Sequence, residues 1–146
     1  MKNVRCARCT RCGREYEALP GITTCDCGGI LDIQYNYGYI RSVFSRESLA
    51  DCTDWSMWRY RPFLPVEPDS PAPPLRVGWS PLYRADRLAK ELGLRTLYLK
   101  DDGLNPTASL KDRASAMAVV KAREAGARTI ACSSTGNAAS SLAGNA

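Results

Sequence analysis

The chain has 146 residues, 45% of them hydrophobic, so it can bury a core and lies within the normal size of one domain. Its formal charge is +5, but five basic residues precede the first acidic one, so the remainder is near neutral and a generally basic, nucleic-acid-binding surface is not expected. It lacks both an apolar run of about 18 residues that could span a bilayer and the apolar segment of a signal peptide, which predicts a cytoplasmic protein without a membrane partner.

Residues 1–40 are rich in cysteine and glycine and predict a small module built on hairpins. Seven cysteines in a reducing compartment favour metal binding over disulfides, and their odd number argues the same way. The chain has no histidine, so a tetrahedral zinc site would need four cysteines. Two close pairs predict a zinc ribbon, although Cys6 could replace Cys9 or stay free. The predicted ligands are Cys9, Cys12, Cys25 and Cys27.

Residues 41–75 predict a helical segment followed by a proline-rich linker. Leu49, Cys52, Trp55 and Trp58 recur at mostly three-residue steps, which is typical of a short helix, or of two, over 45–61. Six prolines then occupy residues 62–74, a composition that sustains neither a helix nor a central strand. We therefore predict an extended linker that lies over the surface.

Residues 76–146 alternate between strand and helix patterns. The predicted elements are a helix over 80–93, a strand over 96–100, a helix over 109–126, a buried strand over 128–133 and a further helix after "STGN". Gly93 and Gly126 are expected to end the first two helices, and Ser109 and Asp112 have the spacing of a capping box. This alternation predicts an α/β fold with a parallel sheet, whose ligands bind beyond the carboxyl ends of the strands.

Lys111 is the second residue of the helix predicted from Ser109. An ammonium there meets the positive end of the helix dipole, which disfavours the charged form by a few tenths to about 1 kcal/mol. A structural lysine gains nothing from this position, whereas a buried lysine that must attack an aldehyde as a neutral amine does. The alternative is a solvated lysine that pairs with Asp112 or another acid.

The loop "CSSTGN" combines hydroxyl side chains, a glycine and an asparagine where the predicted buried strand leads into a helix. Such a backbone can turn its N–H groups toward an anion. The alternative is an ordinary turn with Asn137 as the N-cap of the helix. A second polar loop, "DDGLNPTA", leaves the preceding strand at the same predicted edge, which favours a shared site that includes Lys111.

The stretch "KDDGLNPTASLKDRASAMAVVKAREAGARTIACSSTGNAASSLA" closely resembles the N-terminal region of threonine synthases, pyridoxal-phosphate enzymes of the tryptophan-synthase-β-like fold, or fold type II. The likeness runs from "VGWSPLYRADRL" to the C-terminus, and a family subset has a cysteine-rich segment ending in a sequence like "GGILDIQY". The usual Thr-Pro-Leu of the family is Ser80-Pro81-Leu82 here, and Leu110 replaces the usual phenylalanine. The resemblance implies the N-terminal portion of a parallel-sheet fold type II domain over 76–146, preceded by the zinc-ribbon-like module.

The resemblance also implies roles for individual residues. Lys111 would bind pyridoxal 5'-phosphate as the internal-aldimine lysine and would move protons during catalysis. Asn137 would hydrogen-bond the 3'-oxygen of the pyridine ring. The substrate carboxylate would be bound by Ser134, Thr135 and Gly136. The residues that support the lysine would be Ser109, Asp112 and Arg113.

The family reaction converts O-phosphohomoserine and water to threonine and phosphate. In the family, the glycine-rich loop that binds the cofactor phosphate follows the region that corresponds to residues 76–146. We therefore expect a truncated portion that is inactive alone. At full length we expect a homodimer. The first alternative is another fold type II enzyme: a serine/threonine dehydratase, a cysteine synthase or a cysteate-synthase-like enzyme. The second is a zinc-ribbon module that binds nucleic acid through Arg5, Arg8, Arg11 and Arg14.

Overall fold

The computed structural model describes residues 1–19 and 21–146, which divide into two compact units. Unit 1 comprises Met1–Asp54, Trp58–Ala72 and Val120–Ile130. Unit 2 comprises Trp55–Met57, Pro73–Val119 and Ala131–Ala146. Each unit buries its own apolar residues. They include Ala7, Ile40, Val66 and Val120 in unit 1, and Val77, Ala89, Ala116 and Val119 in unit 2.

Unit 1 is built on a three-stranded antiparallel sheet. Its strands are β1 (Val4–Cys9), β2 (Glu15–Tyr16) and β3 (Leu31–Tyr35), in the spatial order β2-β1-β3. Ala7 lies opposite both Tyr16 and Ile33, so β1 is the central strand, and Ala7 and Cys9 are buried on it. The sheet has the hairpin connections that the sequence of residues 1–40 predicts.

Two short α-helices follow the sheet, and both are fixed by polar caps. They are α1 (Tyr37–Val43) and α2 (Arg46–Ala50). The side chain of Asn36 accepts the Tyr39 N–H at 3.1 Å, which caps α1. Ser45 and Ser48 cap α2 reciprocally, each side chain accepting the other residue's N–H, at 3.1 and 2.8 Å. The helical prediction over 45–61 is thus met by α2 and a separate 3-10 helix, Met57–Phe63.

The proline-rich segment is anchored to unit 1. The Asn3 amide donates hydrogen bonds to the carbonyls of Pro62 and Leu64, at 3.1 and 2.7 Å. Val66 is only 2% exposed and belongs to the core. The segment therefore does not simply lie over the surface as predicted, because a distant amide binds its carbonyls and its valine packs inward.

Unit 2 contains a two-stranded antiparallel pair, two whole helices and the first part of a third. The strands are β4 (Leu82–Arg84) and β5 (Tyr98–Lys100); the helices are α3 (Asp86–Glu91), α4 (Lys111–Glu124) and α5 (Asn137–Asn145), with a 3-10 turn at Asp102–Leu104. The residues of α4 from Val120 onward belong to unit 1. The prediction of one helix over 80–93 is wrong in its first half, because Leu82–Arg84 pairs with β5 instead. None of the helices in the described part of the chain is long and apolar enough to cross a membrane.

Both predicted helix ends are confirmed. Gly93 and Gly126 follow α3 and α4 with φ of 67° and 72°. This left-handed conformation is strained for other residues, so glycine marks the end of a helix. The Gly126 N–H donates to the Arg123 carbonyl at 2.9 Å, so one of the last carbonyls of α4 has a hydrogen-bond partner.

The buried strand predicted over 128–133 is wrong, because these residues form neither helix nor strand and are mostly exposed. The predicted parallel sheet is also not formed by the described residues, whose two sheets are antiparallel. A parallel strand needs a neighbour that supplies its hydrogen bonds. In unit 2 the strands β4 and β5 pair with each other, and the chain is accordingly a mixed α/β structure.

Candidate functional site

Lys111 is the first residue of α4, one position nearer the helix start than predicted. Its backbone N–H donates to Ser109 Oγ at 3.1 Å, so the serine side chain caps the helix. The reciprocal bond of the predicted capping box is not formed, because the Asp112 carboxylate binds donors of Thr107, Ser141 and Asn145 instead. The lysine side chain is exposed, not buried as expected, and among residues 1–19 and 21–146 its ammonium forms no hydrogen bond or ion pair. The Lys111 amine is therefore accessible to a ligand.

Asp112 does not pair with Lys111, because its carboxylate turns into unit 2 and is fully buried. It accepts the N–H and Oγ1 of Thr107 at 2.8 and 2.5 Å, Ser141 Oγ at 2.6 Å and Asn145 Nδ2 at 3.3 Å. Burial acts to raise the pKa of Asp112, but the hydrogen bonds from Ser141, Thr107 and Asn145 hold it below its ordinary value. The carboxylate thus joins the loop before α4 to α5.

Arg113 forms a bidentate ion pair with Asp102. Its Nε and Nη2 donate to the two carboxylate oxygens at 2.7 and 2.8 Å, and Ser80 Oγ donates to the same carboxylate at 2.5 Å. The Arg113 guanidinium is the main reason why the pKa of Asp102 lies well below its usual range. Lys100 Nζ donates to the Ser80 carbonyl, so α4, the 3-10 turn and both strands of the β4–β5 pair are tied together.

The turn before Lys111 contains a strained residue. Ala108 has a φ of 56°, in the left-handed region, which costs an L-residue about 1–2 kcal/mol. The turn brings Thr107 to Asp112 and presents Ser109 as the cap of α4. Strain of this kind is commonly held at functional sites. It lies three residues from Lys111.

The loop Ser134–Gly136 is exposed and precedes α5. The Gly136 N–H donates to Ser134 Oγ at 3.2 Å. Asn137 is the first residue of α5 and Gly136 is its N-cap, so the alternative that Asn137 caps the helix is wrong. Hydrogen bonds within the described ranges do not join this loop to Lys111 directly; the link runs along α5, through Ser141 to Asp112.

Sequence reasoning missed several residues that hold the start of α4: Ser80, Asp102, Thr107, Ser141 and Asn145. One sequence feature could have indicated the last two. Ser141 and Asn145 are four residues apart and lie on one face of the helix after "STGN", where a polar face suggests a buried polar partner.

The structure brings the four predicted metal ligands of unit 1 together. The Sγ atoms of Cys9, Cys12, Cys25 and Cys27 all lie within 4.8 Å of one another. Two of the separations are 3.5 Å, between Cys12 and Cys25, and 3.6 Å, between Cys9 and Cys27. Cys6 is buried on β1 outside this four-cysteine cluster, so the geometry selects Cys9 over Cys6.

The thiols of the four-cysteine cluster ionise unequally. The Tyr16 hydroxyl donates to Cys25 Sγ at 3.0 Å, which is the main reason why the pKa of Cys25 falls to about 6. The Gly29 N–H acts to lower the pKa of Cys27, but the sulfurs of Cys25, Cys12 and Cys9 raise it to about 12. A negative thiolate beside other sulfurs thus opposes further ionisation.

Comparison with known proteins shows which family the chain belongs to. The model of the family described as pyridoxal-phosphate dependent enzyme matches residues 74–146, half of the chain. The chain belongs to the pyridoxal-phosphate dependent enzyme family. The matched residues include α4, α5 and every residue of the candidate active site around Lys111. The four-cysteine cluster lies outside the matched range.

Relatives of this chain include the threonine synthases of Methanocaldococcus jannaschii and Methanosarcina acetivorans. They are 44% and 42% identical to it over 136 and 137 residues, which is 93% of the chain and 33% of each relative. The threonine synthase of Synechocystis is 47% identical over 85 residues, 58% of the chain and 22% of the relative. The chain therefore spans about a third of the length of the first two relatives.

The side chains at the site fit the cofactor of the family. Pyridoxal phosphate is held through its aldehyde by a primary amine, and Lys111 offers an accessible one on a capped helix start. Asn137 offers an exposed carboxamide, a group that can donate a hydrogen bond to a ring oxygen. The chemistry of this donor set therefore agrees with pyridoxal phosphate.

Proposed function

We propose that this chain is the lysine-bearing portion of a threonine synthase, a carbon–oxygen lyase that converts O-phosphohomoserine and water to threonine and phosphate. The observation that carries the proposal is the accessible Lys111 amine on a capped helix start, in a chain with close relatives named threonine synthase. The first two relatives also match through most of the chain, so the likeness extends beyond the cofactor-binding residues.

The bound pyridoxal phosphate supplies an electron sink for carbanions at the substrate Cα and Cβ. Lys111 would bind the cofactor aldehyde and carry protons to and from the substrate carbons. Asn137 would donate to the 3'-oxygen of the ring. Ser134, Thr135 and Gly136 would bind the substrate carboxylate; their exposure and the flexible hydrogen-bonding capacity of hydroxyl groups support this role.

The supporting residues would act by holding α4 rather than by touching the substrate. Ser109 caps the helix, Asp112 binds it to α5, and Arg113 binds it to Asp102. Each of these contacts fixes the backbone on either side of the lysine. Precise placement of a reacting group is worth a large factor in rate, which is why such residues are expected around it.

We also propose that residues 76–146 belong to a fold type II domain, whose parallel sheet would form in a chain of the relatives' length. All six residues of β4 and β5 are exposed, and so are most of residues 128–133. Strands of a parallel α/β sheet are normally covered on both faces, so these surfaces suit further packing. The domain boundaries at residues 40 and 75 are part of the same proposal.

Two alternative functions are less well supported. Another fold type II activity, such as serine/threonine dehydratase, cysteine synthase or cysteate synthase, would use the same lysine, but the names of the relatives favour threonine synthase. For nucleic-acid binding, local acids offset the basic N-terminal residues: Arg5 pairs with Glu15 at 3.0 Å and Arg14 pairs with Asp26. We also propose a cytoplasmic location, which suits a biosynthetic enzyme, and a homodimer at full length.

The test uses a chain of the relatives' length that contains this sequence. Borohydride reduction with bound pyridoxal phosphate, followed by peptide mass mapping, should attach the cofactor to Lys111. The attachment should disappear in Lys111→Ala and persist in the control Lys90→Ala, since Lys90 lies on α3. Cofactor attached to a different lysine would contradict the assigned role of Lys111.

The substrate is tested separately by product release. The same chain should release phosphate from O-phosphohomoserine, and Lys111→Ala should abolish this release. If the chain instead forms oxo acids from serine or threonine, or exchanges the side chain of an acetylated serine, without acting on O-phosphohomoserine, then the fold type II alternative is correct and the threonine synthase proposal is wrong.

A further inference from the structure

The four-cysteine cluster has the dimensions of a tetrahedral thiolate site. Zinc binds cysteine sulfur at about 2.3 Å, so the edges of a regular tetrahedron of sulfurs measure about 3.8 Å. The four Sγ atoms lie within 4.8 Å of one another, and two of the separations are 3.5 and 3.6 Å. Side-chain shifts of a few tenths of an ångström would centre an ion among them. We propose that this cluster is a structural zinc site that holds unit 1 together.

Two similar turns present the ligands. In the first, the Gly13 N–H donates to the Cys9 carbonyl at 3.0 Å; in the second, the Gly28 N–H donates to the Cys25 carbonyl at 2.8 Å. Both glycines have a φ near 75°, at 75° and 76°. The second turn is one residue shorter, which explains why a C-x-C pair can oppose a C-x2-C pair.

Donors surround the sulfurs in the way that thiolate ligands need. The N–H groups of Arg11 and Cys12 point at Cys9 Sγ, at 3.3 and 3.4 Å. On the opposite side, the Tyr16 hydroxyl donates to Cys25 Sγ at 3.0 Å. Hydrogen bonds of this kind orient metal ligands and offset their negative charge. Neutral thiols that only packed against each other would not need these three hydrogen-bond donors, because they carry no negative charge to offset.

The backbone at Gly29 lies so close to the cysteine sulfurs that it leaves no space for a side chain. A Cβ placed on Gly29 would lie 2.5 Å from Cys9 Sγ and 3.4 Å from Cys27 Sγ. Gly29 also accepts the Cys25 N–H at 2.9 Å, so its backbone cannot easily move away. The only residue that fits beside the cluster is therefore the one without a side chain.

The arginine-rich sequence of the module suits the charge of the site. Four thiolates and one Zn²⁺ carry a net charge of −2. Arg11 donates to the Cys27 carbonyl at 3.0 Å, and the guanidinium of Arg8 lies near Gly13, within 3.5 Å of where a Cβ would stand on that glycine. These two arginines place positive charge beside the cluster. A small sheet with few buried apolar residues commonly relies on such a metal for its stability.

The metal content of the 146-residue chain tests the proposal, and it does not depend on pyridoxal phosphate or on activity. The purified chain should contain one zinc per molecule, and exchange for Co²⁺ should give the absorption bands of a tetrahedral thiolate complex. A folded chain that contains no zinc and binds no Co²⁺, or in which Cys9 is disulfide-bonded to Cys27, would overturn the proposal. An iron–sulfur absorption spectrum would overturn the choice of zinc.

Variants identify the ligands. Cys12→Ser should lose the zinc, and Cys12→His should retain it, because imidazole is also a zinc ligand. The controls Cys6→Ser and Cys132→Ser should both retain one zinc, since these cysteines lie outside the cluster. Loss of zinc in Cys6→Ser together with retention in Cys12→Ser would assign the site to other ligands.

A glycine variant tests the packing around the ion without removing a ligand. Gly29→Ala should lower the zinc affinity at least tenfold, measured by competition with a chelator. Gly38→Ala is the control, since the nearest heavy atom to a Cβ there is 3.4 Å away and lies outside the cluster. Equal zinc affinity in the two variants would contradict the geometry on which the proposal rests.

Discussion

At the scale of single residues, Asp112 shows how a charge can be buried without an opposite charge bound to it. Neutral donors from Thr107, Ser141 and Asn145 converge on the carboxylate, which is fully buried. Burial of a charge is costly unless hydrogen bonds compensate for it. The carboxylate therefore stabilises unit 2 only while it is ionised and all of its donors are in place.

Asp112→Asn should lower the free energy of unfolding by about 1–3 kcal/mol, because the amide nitrogen would face a donor instead of accepting from it. The folded pKa of Asp112 is lowered, so its contribution is present above the ordinary carboxyl pKa and is lost as the pH falls. Urea unfolding between about pH 5 and pH 2 should thus depend less on pH in the variant. The control is Asp69→Asn, at an exposed carboxylate; an equal change in both would argue against the role of Asp112.

The strain at Ala108 gives a second prediction at this scale. Ala108→Gly should raise the free energy of unfolding by up to about 1 kcal/mol, because relief of the left-handed strain outweighs the entropy that glycine gains on unfolding. Ala108→Val should lower it, because a β-branched side chain tolerates this conformation least. Chemical denaturation of the two variants measures the order, and the reverse order would mean that the turn relaxes.

At the scale of elements, α5 packs closely on the turn that precedes α4. A Cβ on Gly144 would lie 2.6 Å from Thr107 Cγ2, and Thr107 cannot rotate away without losing its hydrogen bond to Asp112. Gly144→Ala should therefore lower the free energy of unfolding by about 1–3 kcal/mol. Gly136→Ala, where a Cβ meets no heavy atom within 4 Å, is the matched control. Thermal unfolding of both variants should separate them, and equal midpoints would contradict the close contact.

At the scale of the whole molecule, the two sheets differ in how well they are covered. Ala7 and Cys9 of β1 are 3% and 2% exposed, whereas every residue of β4 and β5 is exposed. Hydrogen exchange by mass spectrometry should therefore find slower amide exchange in Val4–Cys9 than in Leu82–Arg84, because exposed strands open locally at low cost. Faster exchange in β1 would show that the four-cysteine cluster does not hold its sheet.

Features that depend on neighbours in the chain could be predicted from the sequence. The helix ends at Gly93 and Gly126 and the cap of α4 at Ser109 follow from local turn chemistry. The same holds for the close approach within each cysteine pair, since only one or two residues lie between its members. The resemblance to pyridoxal-phosphate enzymes likewise rests on short motifs, and the family match over residues 74–146 confirms it.

Features that depend on distant partners could not be predicted. A spacing of apolar residues near Leu82 suits a helix as well as a strand, and only pairing with β5 decided for the strand. Residues 128–133 have the composition of a buried strand, but a strand forms only where a neighbour supplies hydrogen bonds, and the described residues supply none there.

The sequence by itself therefore determined the family, the position of Lys111 at a helix start and the two cysteine pairs that offer metal ligands, with Cys6 left as a competitor of Cys9, because short-range spacing encodes all three. Tertiary structure alone decided that Asp112 faces inward, that Arg113 pairs with Asp102, and that Cys9 rather than Cys6 joins the cluster. These outcomes depend on which distant groups satisfy a buried charge or approach a sulfur, and that information appears only when the chain is folded.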